Sequence, residues 1–276
     1  MPILIVALLA LLLVAWFIGQ PRWVAWRRGQ AQADAFPPEW RRILRRRVPG
    51  VALLPADLQL QLKKHIQVFL AEKAFIGCQG QAITDEVRVT IAAQACLLLL
   101  NRPGDYYPAL RQILVYPSAF LVAHEQVDDA GVVQARRDLR SGESWRQGQV
   151  ILAWDDTLRG AADPHDGWNV VIHEFAHQLD SQTGLTNGAP DLGPAERYAA
   201  WSEVMQSAYD ALCDATDAMD AGGPAPFLDP YGATDPAEFF AVVTEVFFER
   251  PRALSVAHPA LYRELSRFYR LHPASW

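Results

Sequence analysis

The segment "VVIHEFAHQLD", residues 170–180, constrains the fold most, because it places two histidines and a glutamate within one apolar run. His173 and His177 are four residues apart, so a helix would bring both imidazoles to one face, where they can reach a single metal ion. Glu174 lies where its carboxylate can contact a water on that metal. The segment therefore predicts a metal-binding helix. The alternative, a pair of hydrogen-bonded core histidines, leaves Glu174 unexplained among apolar neighbours.

A catalytic zinc site takes three protein ligands and leaves one position open, so the two histidines need a third ligand. The metzincin pattern is excluded, because it requires glycine and histidine where this chain has Asp180 and Thr183. The three cysteines include no C-x-x-C pair, which argues against a cysteine-based zinc site. Spacing leaves the choice open among four carboxylates on predicted downstream helices: Glu196, Glu203, Glu238 and Glu245.

Asp180 lies three residues beyond His177, on the same predicted helix face. Its carboxylate could accept a ring N–H of a ligand histidine and fix the tautomer. A solvated helix end is the other interpretation, and the sequence does not decide between them.

An uncharged apolar run extends from Pro2 to Gly19 and, as a helix, would reach roughly 27 Å, nearly the thickness of a bilayer core. We interpret residues 1–20 as a transmembrane anchor. A cleavable signal peptide is the alternative, but the run lacks a basic n-region and a small-x-small cleavage site. Arginines and tryptophans follow the run, which predicts a cytoplasmic location for the remainder. We therefore expect a single-pass protein of the inner (cytoplasmic) membrane with its catalytic domain facing the cytoplasm.

Residues 21–50 form the expected basic juxtamembrane linker, and residues 21–47 within it carry eight arginines against two acidic residues. Such a stretch could rest on anionic lipid headgroups. Residues 48–276 hold 17 basic and 29 acidic residues, and this net charge of −12 would repel a phosphate backbone. The charge distribution thus argues against direct nucleic-acid binding.

Helical apolar spacing recurs along the rest of the chain, whereas two segments rich in branched and aromatic residues suit strands. The predicted helices cover residues 54–73, 85–101, 168–182, 195–215, 235–249 and 259–269. The predicted strands cover residues 111–122 and 148–156, and a Gly- and Pro-rich loop is predicted over residues 217–236. We expect an α+β, mostly helical, zincin-like domain with a small sheet over residues 51–276.

Two segments, "VVIHEFAHQLD" and "YGATDPAEFFAVVTEVFFERP", closely resemble the Mlc titration factor A family of bacterial zinc peptidases, whose catalytic core is similar to that of anthrax lethal factor. The likeness covers about residues 50–272 and includes "VYPSAF" and "SGESWRQGQVILAW". It implies that Glu238 is the third metal ligand and that Tyr231, seven residues earlier, faces the metal. The predicted N-terminal anchor and its basic linker distinguish this chain from the better-known soluble members.

From the motif and the resemblance we expect a zinc-dependent peptidase, with aminopeptidase action implied by the resemblance alone. His173, His177 and Glu238 would hold Zn²⁺, Glu174 would act as general base, and Tyr231 would donate a hydrogen bond to the oxyanion. The expected substrate is a peptide or protein. One alternative is a regulatory protein that sequesters a transcriptional repressor, since the family is named for binding the Mlc repressor; another is hydrolysis of a different kind of bond.

Overall fold

The computed structural model describes residues 2–102, 104–118, 120–127, 133–140, 142–145 and 148–276. The α-helices within these residues are α1 (Pro2–Ala33), α2 (Pro38–Arg47), α3 (Ala56–Glu72), α4 (Asp85–Leu97), α5 (Trp154–Ala162), α6 (Val170–Asp180), α7 (Glu196–Asp220), α8 (Pro236–Glu249), α9 (Pro251–Ala257) and α10 (Pro259–Tyr269). The strands are β1 (Ala74–Gly77), β2 (Gln112–Tyr116), β3 (Phe120–Val127), β4 (Val133–Arg140), β5 (Gly142–Trp145) and β6 (Gln149–Ala153).

The main sheet has four strands in the order β1-β2-β6-β5. Strands β1, β2 and β6 are parallel, and β5 pairs antiparallel with β6. Strands β3 and β4 pair with each other as a separate antiparallel hairpin. The expected architecture, mostly helical with a small sheet, is therefore confirmed.

The strand predicted over residues 111–122 divides between the two sheets. β2 ends at Tyr116, and β3 begins at Phe120 in the hairpin. Pro117, which has no N–H to donate to a sheet, follows β2 directly and accounts for the break. Ala119 lies outside the described residues.

Other boundaries also differ from the prediction, among them the end of the helix predicted over residues 85–101, which is at Leu97. The strand predicted over residues 148–156 ends at Ala153, and α5 begins at Trp154, because the two aspartates that follow suit the first turn of a helix. The predicted loop at residues 217–236 begins later, since α7 continues to Asp220 before the chain turns.

The face of α6 that carries Phe175 packs into the hydrophobic core. Phe175 is fully buried and packs against Phe69 of α3 and against Tyr107, with ring centroids 5.7 and 4.8 Å apart. Aromatic pairs at such distances contribute beyond the burial of their area. This packing points the opposite face of α6, which carries the histidines, towards α8.

The N-terminal segments contact the domain through ion pairs as well as apolar packing. Arg28 of α1 pairs with Glu72 of α3, and Arg47 of α2 pairs with Glu86 of α4. The division into anchor, linker and domain stays a prediction. Among the described side chains, no helix has the length and apolar character to cross a membrane. Many side chains of residues 2–18 lie outside that description, and the anchor predicted there stays a prediction.

Candidate metal centre

The first element of the site is the start of α6. Asn169 caps the helix, because its side-chain oxygen accepts a hydrogen bond from the backbone N–H of Ile172 at 3.1 Å. The cap sets the helical turn that brings His173 and His177 together, with ring centroids 4.9 Å apart. Both imidazoles are largely buried and face α8.

Glu238 reaches the histidines from the first turn of α8. Asp235 caps that helix and accepts hydrogen bonds from the N–H groups of Ala237 at 2.8 Å and Glu238 at 3.0 Å. Oε2 of Glu238 lies 2.9 Å from Nε2 of His173 and 3.4 Å from Nε2 of His177. Two histidines of α6 and one glutamate of α8 therefore converge on one point.

The geometry fits a divalent metal. Zinc bonds to nitrogen and oxygen are about 2.0–2.2 Å long, so ligand atoms in a tetrahedral site lie roughly 3.4 Å apart. One ligand atom from each of His173, His177 and Glu238 lies within 4.8 Å of the others. Among the described residues, these three form the cluster of histidine, cysteine and carboxylate side chains that could hold a metal ion. A small adjustment of side chains would bring all three to bonding distance.

The electrostatics of the cluster also favour a cation. Burial acts to lower the pKa of His173, but hydrogen bonds to Glu238 and Glu245 together raise it well above its ordinary value. Burial acts to raise the pKa of Glu238, yet hydrogen bonds from the two histidines hold it well below its usual range. The carboxylates therefore favour positive charge between them, as a metal-binding site requires.

Glu245 supports His173 from the side opposite Glu238. Its Oε1 lies 2.8 Å from Nδ1 of His173, and its other oxygen accepts a hydrogen bond from the backbone N–H of Asn169. Burial raises the pKa of Glu245, although the contact with His173 opposes that rise. Glu245 is thus a hydrogen-bond partner of a candidate ligand and not itself a member of the His–His–Glu group.

Glu174 and Tyr231 also lie at this site. Glu174 is buried on α6, directly after His173. Tyr231 is 54% exposed, and its ring centroid lies 5.9 Å from that of His173. Asp229 fixes the turn that carries it, accepting a hydrogen bond from the Tyr231 N–H at 2.8 Å. Their roles as base and as oxyanion donor stay predictions.

Other sequence candidates lie elsewhere. Glu196 and Glu203 are exposed on α7 and are not members of the His–His–Glu group.

Asp180 is fully buried, so its interpretation as a solvated helix end is wrong. Its Oδ2 accepts a hydrogen bond from the N–H of Gly188 at 2.7 Å. Within the described residues neither Oδ1 of Asp180 nor Nδ1 of His177 has a hydrogen-bond partner, so the alternative interpretation, a tautomer-fixing contact with His177, is not observed either.

Comparison with known proteins places this geometry in context. A family model described as "Glucose-regulated metallo-peptidase M90" matches residues 23–270. An uncharacterized protein of Synechocystis sp. is 43% identical over 274 residues, covering 99% of this chain and 98% of the relative. Proteins named Mlc titration factor A are 34% identical over 249 residues in Enterobacter sp. (90% of this chain, 91% of the relative) and 33% over 253 residues in Yersinia pestis (91% and 90%). The likeness that the two motifs predicted therefore extends over most of the chain.

Proposed function

This chain belongs to the M90 family of metallopeptidases, and from that premise we propose that it hydrolyses peptide bonds with a zinc ion held by His173, His177 and Glu238. One observation carries the proposal: two imidazole Nε2 atoms meet one oxygen of Glu238, although 65 residues separate His173 from Glu238. A pair of core histidines would not need a carboxylate brought from a distant helix. A catalytic zinc site needs such a set of three ligands.

Each residue has a defined task in this proposal. When bound, zinc acts as a Lewis acid that polarises a peptide carbonyl and makes water more acidic. With zinc bound, His173 and His177 would each supply one ring nitrogen, and Glu238 would supply a carboxylate oxygen. Glu245 accepts a hydrogen bond from Nδ1 of His173, which leaves Nε2 of that ring as the ligand atom.

Glu174 is the proposed general base. It takes a proton from the water that attacks the scissile carbonyl and returns that proton to the leaving amine. Its position on α6, directly after His173, supports this role, because that position brings the carboxylate close to a water bound beside the two histidines. The hydroxyl of Tyr231 donates a hydrogen bond to the carbonyl oxygen as that atom gains negative charge. The position of its ring beside that of His173 supports this assignment.

The Glu174→Gln variant of the full chain tests this mechanism against the wild type. Zinc content and hydrolysis of a peptide library are measured for both proteins, with Glu203→Gln as a control because Glu203 is an exposed glutamate on α7. We expect Glu174→Gln to retain zinc and to lose turnover by about 100- to 10,000-fold, whereas the control keeps both. Equal cleavage by wild type and Glu174→Gln would reject the proposed base.

The same measurement separates the second candidate function, sequestration of a transcriptional repressor. The names of the Enterobacter and Yersinia relatives favour a role with Mlc. A wild type that is loaded with zinc, cleaves no peptide and binds a repressor protein would support that function. An intact glutamate at position 174 favours hydrolysis.

We further propose that the enzyme is an aminopeptidase, as the family resemblance implies. Paired peptides with free and acetylated N-termini test it directly. Release of the first residue from the free peptide alone is the expected result. Cleavage of both peptides at one internal bond would instead make the enzyme an endopeptidase.

We also propose that the apolar run at Pro2–Gly19 holds the chain at the inner membrane with its domain in the cytoplasm. The arginines and tryptophans after the run support this orientation. In fractionated cells the full chain should resist alkaline extraction from membranes, whereas a variant lacking residues 2–19 should be released. Equal extraction of both proteins would exclude the anchor.

A further inference from the structure

Gly188 lies at a junction of three helices near the candidate metal centre. Its N–H donates to Oδ2 of Asp180, the last residue of α6, at 2.7 Å. Its carbonyl oxygen accepts a hydrogen bond from the indole nitrogen of Trp201 on α7 at 3.0 Å. Both partners are buried, with Asp180 0% and Trp201 2% exposed. The backbone of Gly188 is therefore held from two sides.

The third contact explains why this position holds glycine. Gly188 has a φ of +77°, and a methyl group on its Cα would lie 2.3 Å from the carbonyl oxygen of Pro236. No real Cβ approaches an oxygen so closely, so any larger residue would push the loop and the start of α8 apart. Pro236 is the first residue of α8 and stands two residues before Glu238.

These contacts connect the two halves of the metal centre. Asp180 follows His177 by three residues on α6, and Pro236 precedes Glu238 by two residues on α8. Gly188 lies between them, in hydrogen-bond contact with the first and in van der Waals contact with the second. A shift of the loop at Gly188 would therefore change the separation between the histidine pair and the carboxylate.

We propose that Gly188 and Asp180 are positioning residues that set the distance between the histidines of α6 and Glu238 of α8. This inference rests on the proposed function, in which those three side chains hold one zinc ion. Neither Gly188 nor Asp180 contacts the substrate in this proposal. They act through the geometry of the ligands, because a metal site tolerates little displacement of its ligand atoms.

The chain offers a matched control for the test. Gly193 lies in the same loop with a φ of +79°, and a methyl group there would meet nothing within 4 Å. Alanine at either position suffers the same left-handed backbone strain, but only alanine at Gly188 would displace α8. Comparing Gly188→Ala with Gly193→Ala therefore separates the displacement from the strain.

The measured quantities are the zinc dissociation constant, from competition with a chromophoric chelator, and the visible spectrum of the cobalt(II)-substituted full chain. We expect Gly188→Ala to weaken zinc binding at least tenfold and to alter the cobalt bands. Gly193→Ala should stay within twofold of wild type with unchanged bands. Circular dichroism and melting of the metal-free proteins establish that each variant is folded at the assay temperature.

A second variant covers the case in which Gly188→Ala does not fold. Trp201→Phe keeps an aromatic ring in the core but removes the indole donor to Gly188, so it should alter the cobalt bands in the same direction by a smaller amount. If wild type binds zinc and the folded variants match it in affinity and spectrum, the positioning role is overturned and the proposed function stands. If wild type binds no zinc, the proposed function fails, and the positioning role fails with it.

Discussion

Nδ1 of His173 lies 2.8 Å from Oε1 of the buried Glu245, and the other oxygen of that carboxylate accepts a hydrogen bond from the N–H of Asn169. One carboxylate thus serves two donors, the ring of a candidate ligand and the capping residue of the helix that carries it. Such partners fix the tautomer of a ligand histidine and raise its basicity. Glu245 therefore links the orientation of His173 to the start of α6.

Glu245→Gln should weaken zinc binding by about 10- to 100-fold. A glutamine has one acceptor oxygen, so it can serve Asn169 or His173 but not both. If its amide N–H₂ group faced Nδ1 of His173, the imidazole would carry its proton on Nε2 and lose the ligand lone pair. Chelator competition measures the change.

Glu249→Gln is the matched control for that variant. Glu249 lies one helical turn beyond Glu245 and is equally buried. It accepts hydrogen bonds from the side chain of Asn169 at 2.9 Å and from the N–H of Gly167 at 3.1 Å, without a hydrogen bond to His173. We expect this variant to keep wild-type zinc affinity. An equal loss in both variants would show that general loosening of α8, and not the contact with His173, lowers affinity.

Glu249 also predicts a pH dependence of stability. Burial raises its pKa to about 9, against about 4.3 in an unfolded chain. Between these values the folded state holds a proton that the unfolded state has released, so stability falls as pH rises from about 5 to 9. The cost is at most about 1.4 kcal/mol for each pH unit. Urea unfolding of metal-free protein at a series of pH values should show a shallower decline for Glu249→Gln, whereas identical slopes would contradict the raised pKa.

The ion pairs of Arg28 should stabilise the packing of α1 against the domain. Its guanidinium donates to both oxygens of Glu72, at 2.6 and 3.1 Å, and also contacts Asp105. A bidentate, partly buried pair is stronger than an exposed one, so Arg28→Ala should cost about 1 kcal/mol of unfolding free energy. Arg27→Ala is the control, because Arg27 is exposed and lies over the ring of Trp23 at 4.9 Å. Faster proteolysis between α1 and α3 is expected for Arg28→Ala only, and equal rates would show that these ion pairs do not hold α1.

The two helices of the metal centre could be predicted because their signals are local. Apolar spacing and the H-E-x-x-H pattern predicted α6, and the helix predicted over residues 235–249 matches α8, which Asp235 caps. The choice of Glu238 among four carboxylates could not be made from spacing. It depends on the packing of α6 against α8, and before the structure only the family resemblance indicated it.

Contacts between distant segments could not be predicted, because no local pattern encodes them. The sequence suggested Asp180 as a histidine partner, but its carboxylate instead holds Gly188, while Glu245 contacts His173 from 72 residues away. The end of β2 at Tyr116 and the start of α5 at Trp154 also depend on which sheet or helix each segment joins. Short apolar runs carry too little information to specify that choice.

Tyr231→Phe tests the proposed oxyanion donor with little risk to the fold, because Tyr231 is 54% exposed. In other hydrolases, loss of one preorganised hydrogen-bond donor to the oxyanion lowers kcat roughly 100- to 1,000-fold. We expect a fall of that order for Tyr231→Phe, with little change in KM. Tyr209→Phe is the matched control, since its hydroxyl donates to the carbonyl of Ala233 at 3.2 Å in the same turn. A loosened turn would slow both variants equally. A fall in kcat confined to Tyr231→Phe, with zinc content unchanged, would locate the donated hydrogen bond on the reacting carbonyl, because the phenyl ring keeps its packing against His173 and only the hydroxyl is lost.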